Sequence, residues 1–412
     1  MNAYGFRKLI PDYWFSQTEN PERFEDCDQY LDGKIKSIPN GKSFMFLTDP
    51  HIRGCNAMNS PAIIGYIREM TNVKKVVQGG DILHREPTKY MGAQEIIKYT
   101  NIMRSVAGED YLPVWGNHDI NTANAPIDDV ATHRIPYTEI DKILFAHLKD
   151  RVTEDISEKI AYLDCSEEDR EQIIALGRLH YYVDDNAAKM RYIIMETGCQ
   201  VEAERNGCVT KHFGISNNED LVMQYDWLYE TLMSTPEDYD ILVTGHAMLG
   251  YEKRFREIMD GPMGVCEMIS AFHTRSKLSL YNRLSWNEKL CKFYKAGNHE
   301  YDFSTRKGNS RVVVLGADTH HDIMAVADYD ENGNFVYKGE YDGSALPKSA
   351  VVVTSTVTDG YGATGSKLYP NCILEKGTTN EHAIDVVTVL PDGDIAFTRI
   401  GAGDNRKISY VK

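Results

Sequence analysis

Five separated stretches of the chain end in residue types that can bind a divalent cation. Asp49 and His51 follow the run FMFL, Asp81 follows VVQGG, and Asn117, His118 and Asp119 follow LPVWG. His246 follows ILVTG, and Asp318 and His320 follow VVVLGA. Carboxylate oxygen, amide oxygen and imidazole nitrogen are the donors that hard and borderline divalent ions take. Together these residues offer too many donors for one ion and about the right number for two. Two ions roughly 3.5–4 Å apart need a bridging carboxylate, and Asp81, delivered alone from the middle of the order, is the natural bridge. Such a pair stabilises charge on the attacking and leaving oxygens of a phosphoryl group and makes hydroxide available at neutral pH. The chemistry implied is phosphoester hydrolysis.

Each feature alone has a plainer explanation. Asp49 could be a turn residue before Pro50, Asp81 a helix cap, and His246 a hydrogen-bonded core histidine. Their joint placement at the ends of β-type runs is what those explanations do not cover.

The elements that must hold these residues are legible from periodicity. Apolar runs at 44–47, 74–78, 111–115, 239–244 and 311–316 read as strands, and ligand-type residues lie at their carboxyl ends, where open α/β sheets bind ligands. Between them, Ile63, Ile64, Ile67 and Met70 recur at helical spacing, and 90–106 and 219–234 are also helical. This strand–helix rhythm predicts a sheet covered by helices. HYYVDDNAAKMRYIIMETG reads as a hairpin, and PYTEIDKILFAHLKDRV is the clearest amphipathic piece of a charged, helical 127–179. The later runs IMAVADY, NFVYKGE, SAVVVTST, AIDVVTVL and IAFTRI predict a second sheet.

Residues 1–42 read as a lead-in with a short helix around Pro21–Leu31, packed on one domain of 43–412. Segments 248–310, with a helical piece around Arg254–Ser270, and 357–380 read as substrate-side loops or insertions. The formal net charge is −16, spread along the chain, which argues against an extended nucleic-acid partner and leaves room only for a local basic pocket. The eight cysteines show neither zinc-finger nor redox spacing. With no signal-peptide pattern and no long apolar run, the expectation is a cytoplasmic protein without a membrane partner.

The motifs DPH, GGD, GNHD, TGH and GADTH, in that order, resemble the calcineurin-like metallophosphoesterases, in particular members found in bacterial and phage genomes. The resemblance covers about Ser43 to Val326. It implies an α/β fold in which two mixed β-sheets flanked by helices form a four-layer α/β/β/α sandwich. It implies two divalent metal ions, Mn or Fe foremost, with Zn, Mg and Ni also admissible, and a small-molecule phosphoester substrate. Asp49, His51 and His320 would hold the first ion and Asn117, His246 and Asp318 the second, with Asp81 shared. His118 would act on the leaving-group oxygen, with Asp119 orienting its ring.

One position departs from the pattern. Where the family has Gly-His-x-His, this chain has Ala317-Asp318-Thr319-His320. A carboxylate there favours harder ions, and a shifted register using His320 with His321 or Asp322 is the alternative. A second GNHE at Gly297–Glu300 follows a weakly apolar run and reads as a loop near the site mouth. His84, just past Asp81, is a further candidate for touching substrate. Two rivals remain: a metal-binding but catalytically weak interaction module of a phage-associated kind, and a nuclease of the same family.

Overall fold

A computed structural model describes residues 30–412 except 53–59, 85, 123–124, 126–128, 158–165, 198–199, 206–207, 214–218, 249, 253–256, 260–262, 283–296, 357–373, 375–379 and 381. The FMFL run forms the strand Lys42–Leu47, whose last four residues are buried. Its apolar side chains point alternately to both faces of a covered sheet, which is why the run is continuous rather than alternating. On one edge it pairs in parallel with Val76–Gln78, which pairs in parallel with Tyr111–Pro113. On the other edge it pairs antiparallel with Ala383–Val389, and Ile395–Gly401 and Arg406–Ile408 complete six strands. Helices Ser60–Met70 and Lys89–Ala107 make the parallel crossovers. Thr88 caps the second, its Oγ1 accepting from the Met91 N–H at 3.2 Å.

An eight-stranded sheet lies against the first. Its order is Phe335–Glu340, Ile323–Tyr329, Val351–Ser355, Val312–Gly316, Asp240–Thr244, Met190–Ile194, Tyr181–Asp185 and Val152–Thr153. The middle four strands, from Val351–Ser355 to Met190–Ile194, are mutually parallel. Alternation along them splits the core. Leu242, Val313, Leu315 and Val352 join the cluster containing Phe44, Val76 and Tyr111. Ile241, Val243, Val314 and Val353 join Leu228, Leu232, Val265 and Ile269 from helices Glu219–Met233 and Met263–Thr274. Phe44 meets Tyr192 edge to face at 5.6 Å, and the Tyr181 hydroxyl donates to the Pro113 carbonyl at 2.8 Å, so the sheets touch directly. The protein is a mixed α/β structure with two large mixed sheets and helices.

Two expectations change. The later β-rich runs do not form one sheet: three join the eight-stranded sheet, while AIDVVTV pairs with the first strand and IAFTRIG pairs with AIDVVTV on its far side. Which sheet edge a run selects is a long-range choice that periodicity does not encode. Gly297–Asp302 is a strand paired with Lys277–Asn282, not a loop. The helical piece read around Arg254–Ser270 is present as the helix Met263–Thr274, displaced toward its carboxyl end, with its apolar face in the core; most of 357–380 and the 21–31 helix lie outside the described residues, of which 30–37 is helical. Among the described residues no helix is long and apolar enough to cross a membrane.

Candidate metal centre

The strands stop together at one edge, and the loops leaving them are stitched backbone to backbone. The Asp49 N–H donates to the Gly80 carbonyl at 3.1 Å, His51 N–H to Asp81 at 3.1 Å, and Ala317 N–H to His246 at 2.7 Å. This packing explains two of the glycines. A Cβ on Gly80, whose φ is +97°, would lie 2.8 Å from Gly116 N and from His246 Nδ1. A Cβ on Gly116 would lie 2.3 Å from the Asp81 carboxylate.

The loops also carry strain. Of eight described non-glycine residues with positive φ, five are Asp49 (50°), His51 (40°), Asp81 (55°), Asp318 (64°) and His320 (55°). Left-handed backbone costs about 1–2 kcal/mol at a residue with a Cβ, and such strain collects at functional sites.

The side chains converge. The ligand atoms of Asp49, His51 and His320 lie within 4.8 Å of one another, as do those of Asp49, Asp81 and His246 and those of His51, His84 and His118. Asp81 faces both ways: Oδ1 is 3.3 Å from His246 Nε2, while Oδ2 is 3.7 Å from His51 Nε2 and 3.8 Å from His118 Nε2. His246 Nε2 is also 3.1 Å from Asn117 Oδ1 and 3.6 Å from Asp318 Oδ1. His320 Nε2 lies 3.3 Å from Asp49 Oδ1 and 3.2 Å from His51 Nε2. All seven predicted ligands are therefore brought to one place. Asp49, assigned to one ion from sequence, belongs to two of the triads.

Three imidazoles are oriented alike. His51 Nδ1 donates to the Leu83 carbonyl at 2.8 Å, His246 Nδ1 to the Gly79 carbonyl at 2.7 Å, and His118 Nδ1 to the His84 carbonyl. Fixing Nδ1–H on a carbonyl leaves Nε2 as the inward donor, the arrangement typical of metal-ligating histidine.

The electrostatics agree. Burial presses His246 toward neutrality, but the Asp81 charge, a hydrogen bond to Asp318 and the Asp49 charge more than offset it, and its pKa rises well above the ordinary value. Burial favours protonated Asp49, yet His320 and His246 carry it down to about 2. His51 is lowered chiefly by burial, against Asp81 and Asp49. Around Asp49 and His246 the neighbouring charges outweigh burial and favour positive charge beside the carboxylates, whereas at His51 burial prevails. The donor set of three carboxylates, an amide oxygen and inward Nε2 atoms fits divalent metal ions.

One assignment changes, and one alternative falls away. Asp119 does not orient the His118 ring; its fully buried carboxylate accepts from the backbone N–H groups of Gly116 (2.7 Å), Asp81 (3.1 Å) and Leu83 (3.1 Å), tying two ligand loops together. Burial, with Asp81 beside it, raises Asp119 to about 7. The shifted register is not used either. Asp322 turns away into a fully buried ion cluster with Arg399 at 2.8 Å, while Asp318 faces His246. His84, whose exposed ring stacks on His118 at 5.8 Å, joins the site. Its nearness to Asp81 in sequence was the signal. The second GNHE does not: His299 lies 3.8 Å from Asp226.

No protein-family model matches the sequence, and no curated protein does. Among solved structures, the crystal structure of TT1561 of Thermus thermophilus aligns with 64% of this chain and the whole of its own. Identity is 11% and the TM-score 0.31, a likeness too slight to carry an argument.

Proposed function

We propose that this chain is a dinuclear metal-dependent phosphoesterase of calcineurin-like type, with helix, sheet, sheet and helix as its layers, acting on a small-molecule phosphomonoester or phosphodiester. The observation that carries this reading is the two-faced Asp81, one oxygen toward His246 and the other toward His51 and His118. A carboxylate so placed serves two cations rather than one. Asp49, His51 and His320 would hold one ion, and His246, Asn117 and Asp318 the other. When bound, such ions would supply Lewis acidity and a nucleophile at neutral pH.

The remaining work falls to the protein. His118 Nε2, with Nδ1 tied to His84, is placed to hold a proton for the leaving-group oxygen. Asp119 holds the Gly116–Asp119 turn and the Asp81 loop at fixed spacing, so that His118 and Asp81 keep their geometry. Asp318, in place of a neutral imidazole, adds negative charge and favours harder ions such as Mn²⁺ or Fe.

The test is hydrolysis of an aryl phosphate monoester and the matching diester with added Mn²⁺. Turnover of either, lost in Asp81→Ala, supports the proposal. Metal uptake with no turnover of either would favour the interaction-module reading.

A further inference from the structure

A second concavity lies at the opposite end of the same parallel strands. Val312 opens the strand that ends at Gly316, two residues before Asp318, so at a rise of about 3.3 Å per residue the strand alone separates its two ends by about 13 Å. The cavity encloses about 610 Å³, within the range of small-ligand sites. Its wall includes Arg275, Arg306, Arg311, Lys348 and Lys412 and no acidic side chain, in a chain of net charge −16.

Four of these cations make no direct ion pair. Among the described residues, no carboxylate is paired with the side-chain nitrogens of Arg275, Arg306, Arg311 or Lys348, although the Arg311 backbone N–H donates to Asp240 Oδ1 at 2.8 Å. Nearby acids are engaged elsewhere: Asp240 with Lys42, Asp392 with Lys412 and Asp394 with Lys407, each at 2.8 Å. Arg306 is only 7% exposed. Its Nη1 donates to the Thr235 carbonyl at 2.7 Å and its Nη2 to the Pro236 carbonyl and Ser310 hydroxyl, while Nε is buried with no hydrogen-bond partner. Neutral oxygens fix this guanidinium without cancelling its charge. Burial lowers the Arg306 pKa; the Glu237 charge opposes this, and Arg191 and Arg275 add to the lowering. Arg311 leans on the Tyr410 ring at 5.8 Å. Arg306 is the buried member of the group; Arg311 is partly buried and Arg275 and Lys348 are exposed, so an anion entering the cavity would meet one fixed guanidinium and three more open cations.

We infer that this cavity is a binding site for a small phosphate-bearing anion, separate from the metal centre. Its guanidinium groups suit a phosphate's paired oxygens, and a concave wall rather than a basic stripe suits a compact anion over a nucleic-acid strand. The inference does not depend on the hydrolase reading.

The experiment is calorimetric titration of the full-length protein with inorganic phosphate, pyrophosphate and ATP in turn, at matched ionic strength. Saturable binding of at least one is expected, and the tightest of the three identifies the source of the phosphate. Arg311→Ala/Lys348→Ala should weaken that binding about tenfold or more, from loss of charge-assisted hydrogen bonds, with metal content and any aryl-phosphate hydrolysis unchanged. Exposed Lys348→Ala alone gives a smaller loss without risk to folding. Equal binding by wild type and variants, no saturable binding of any anion, or tighter binding of an oligonucleotide would overturn the inference. Retained anion binding in a protein without hydrolysis would count against the hydrolase reading alone.

Discussion

Replacing Arg399 by Met removes one side of a fully buried ion cluster beneath the metal centre. Arg399 Nε and Nη2 meet Asp385 at 2.9 and 3.1 Å, and its Nη1 and Nη2 meet Asp322 at 3.1 and 2.8 Å. Arg406 contacts both carboxylates as well, so two cations balance two anions at zero exposure. Arg399→Met leaves one carboxylate in excess, and Asp322→Asn leaves one cation in excess. Each should cost about 3–5 kcal/mol, the penalty of an uncompensated buried charge rather than the strength of a contact. The double variant restores neutrality between Arg406 and Asp385, so its loss should fall well below the sum of the singles. Because Asp322 lies two residues past His320, Arg399→Met should also weaken metal affinity by about ten- to hundredfold. Urea unfolding of the four proteins, with metal titration of each, measures both effects. Strict additivity of the two losses would refute the charge-balance argument, and unchanged metal affinity would refute the link to the ligand loop.

Other outcomes follow from the same geometry. His118→Ala should lower aryl-phosphate turnover by about 10²–10⁴-fold while metal content stays at the wild-type level, as elemental analysis would show. Gly116→Ala, whose new methyl would collide with the Asp81 carboxylate, should cut metal binding although no ligand is removed. Asp385 is pulled below its ordinary value: burial opposes this, but Arg399 and Arg406 outweigh it. Its contribution to stability is therefore present above the unfolded pKa of about 4 and lost as pH falls through the lower folded value. Acid unfolding of Arg399→Met should accordingly begin at a higher pH than that of wild type, followed by circular dichroism.

Much of the site was readable in sequence because each ligand follows a β-type run, and a buried strand must end at a sheet edge. The parallel crossovers through Ser60–Met70 and Lys89–Ala107 were equally plain in their periodicity. What escaped was whatever depends on partners far along the chain. The tail strands Ala383–Val389 and Ile395–Gly401 joined the first sheet because Lys42–Leu47 has an open edge, which no local pattern records. Asp385 and Arg399 sit as charges inside apolar runs, but nothing local to those runs names Asp322 and Arg406 as the other two members of their buried ion cluster. Asp119 sits beside His118 in sequence, yet its carboxylate turns to backbone N–H groups, a matter of loop packing rather than spacing.

The count of bound ions bears most directly on the account. Elemental mass spectrometry of the purified protein, repeated on Asp81→Ala, should find about two equivalents of a divalent transition metal in the wild type and a marked loss in the variant. A wild-type protein that takes up no metal even from Mn²⁺-supplemented buffer, or an Asp81→Ala protein that keeps both ions, would contradict it.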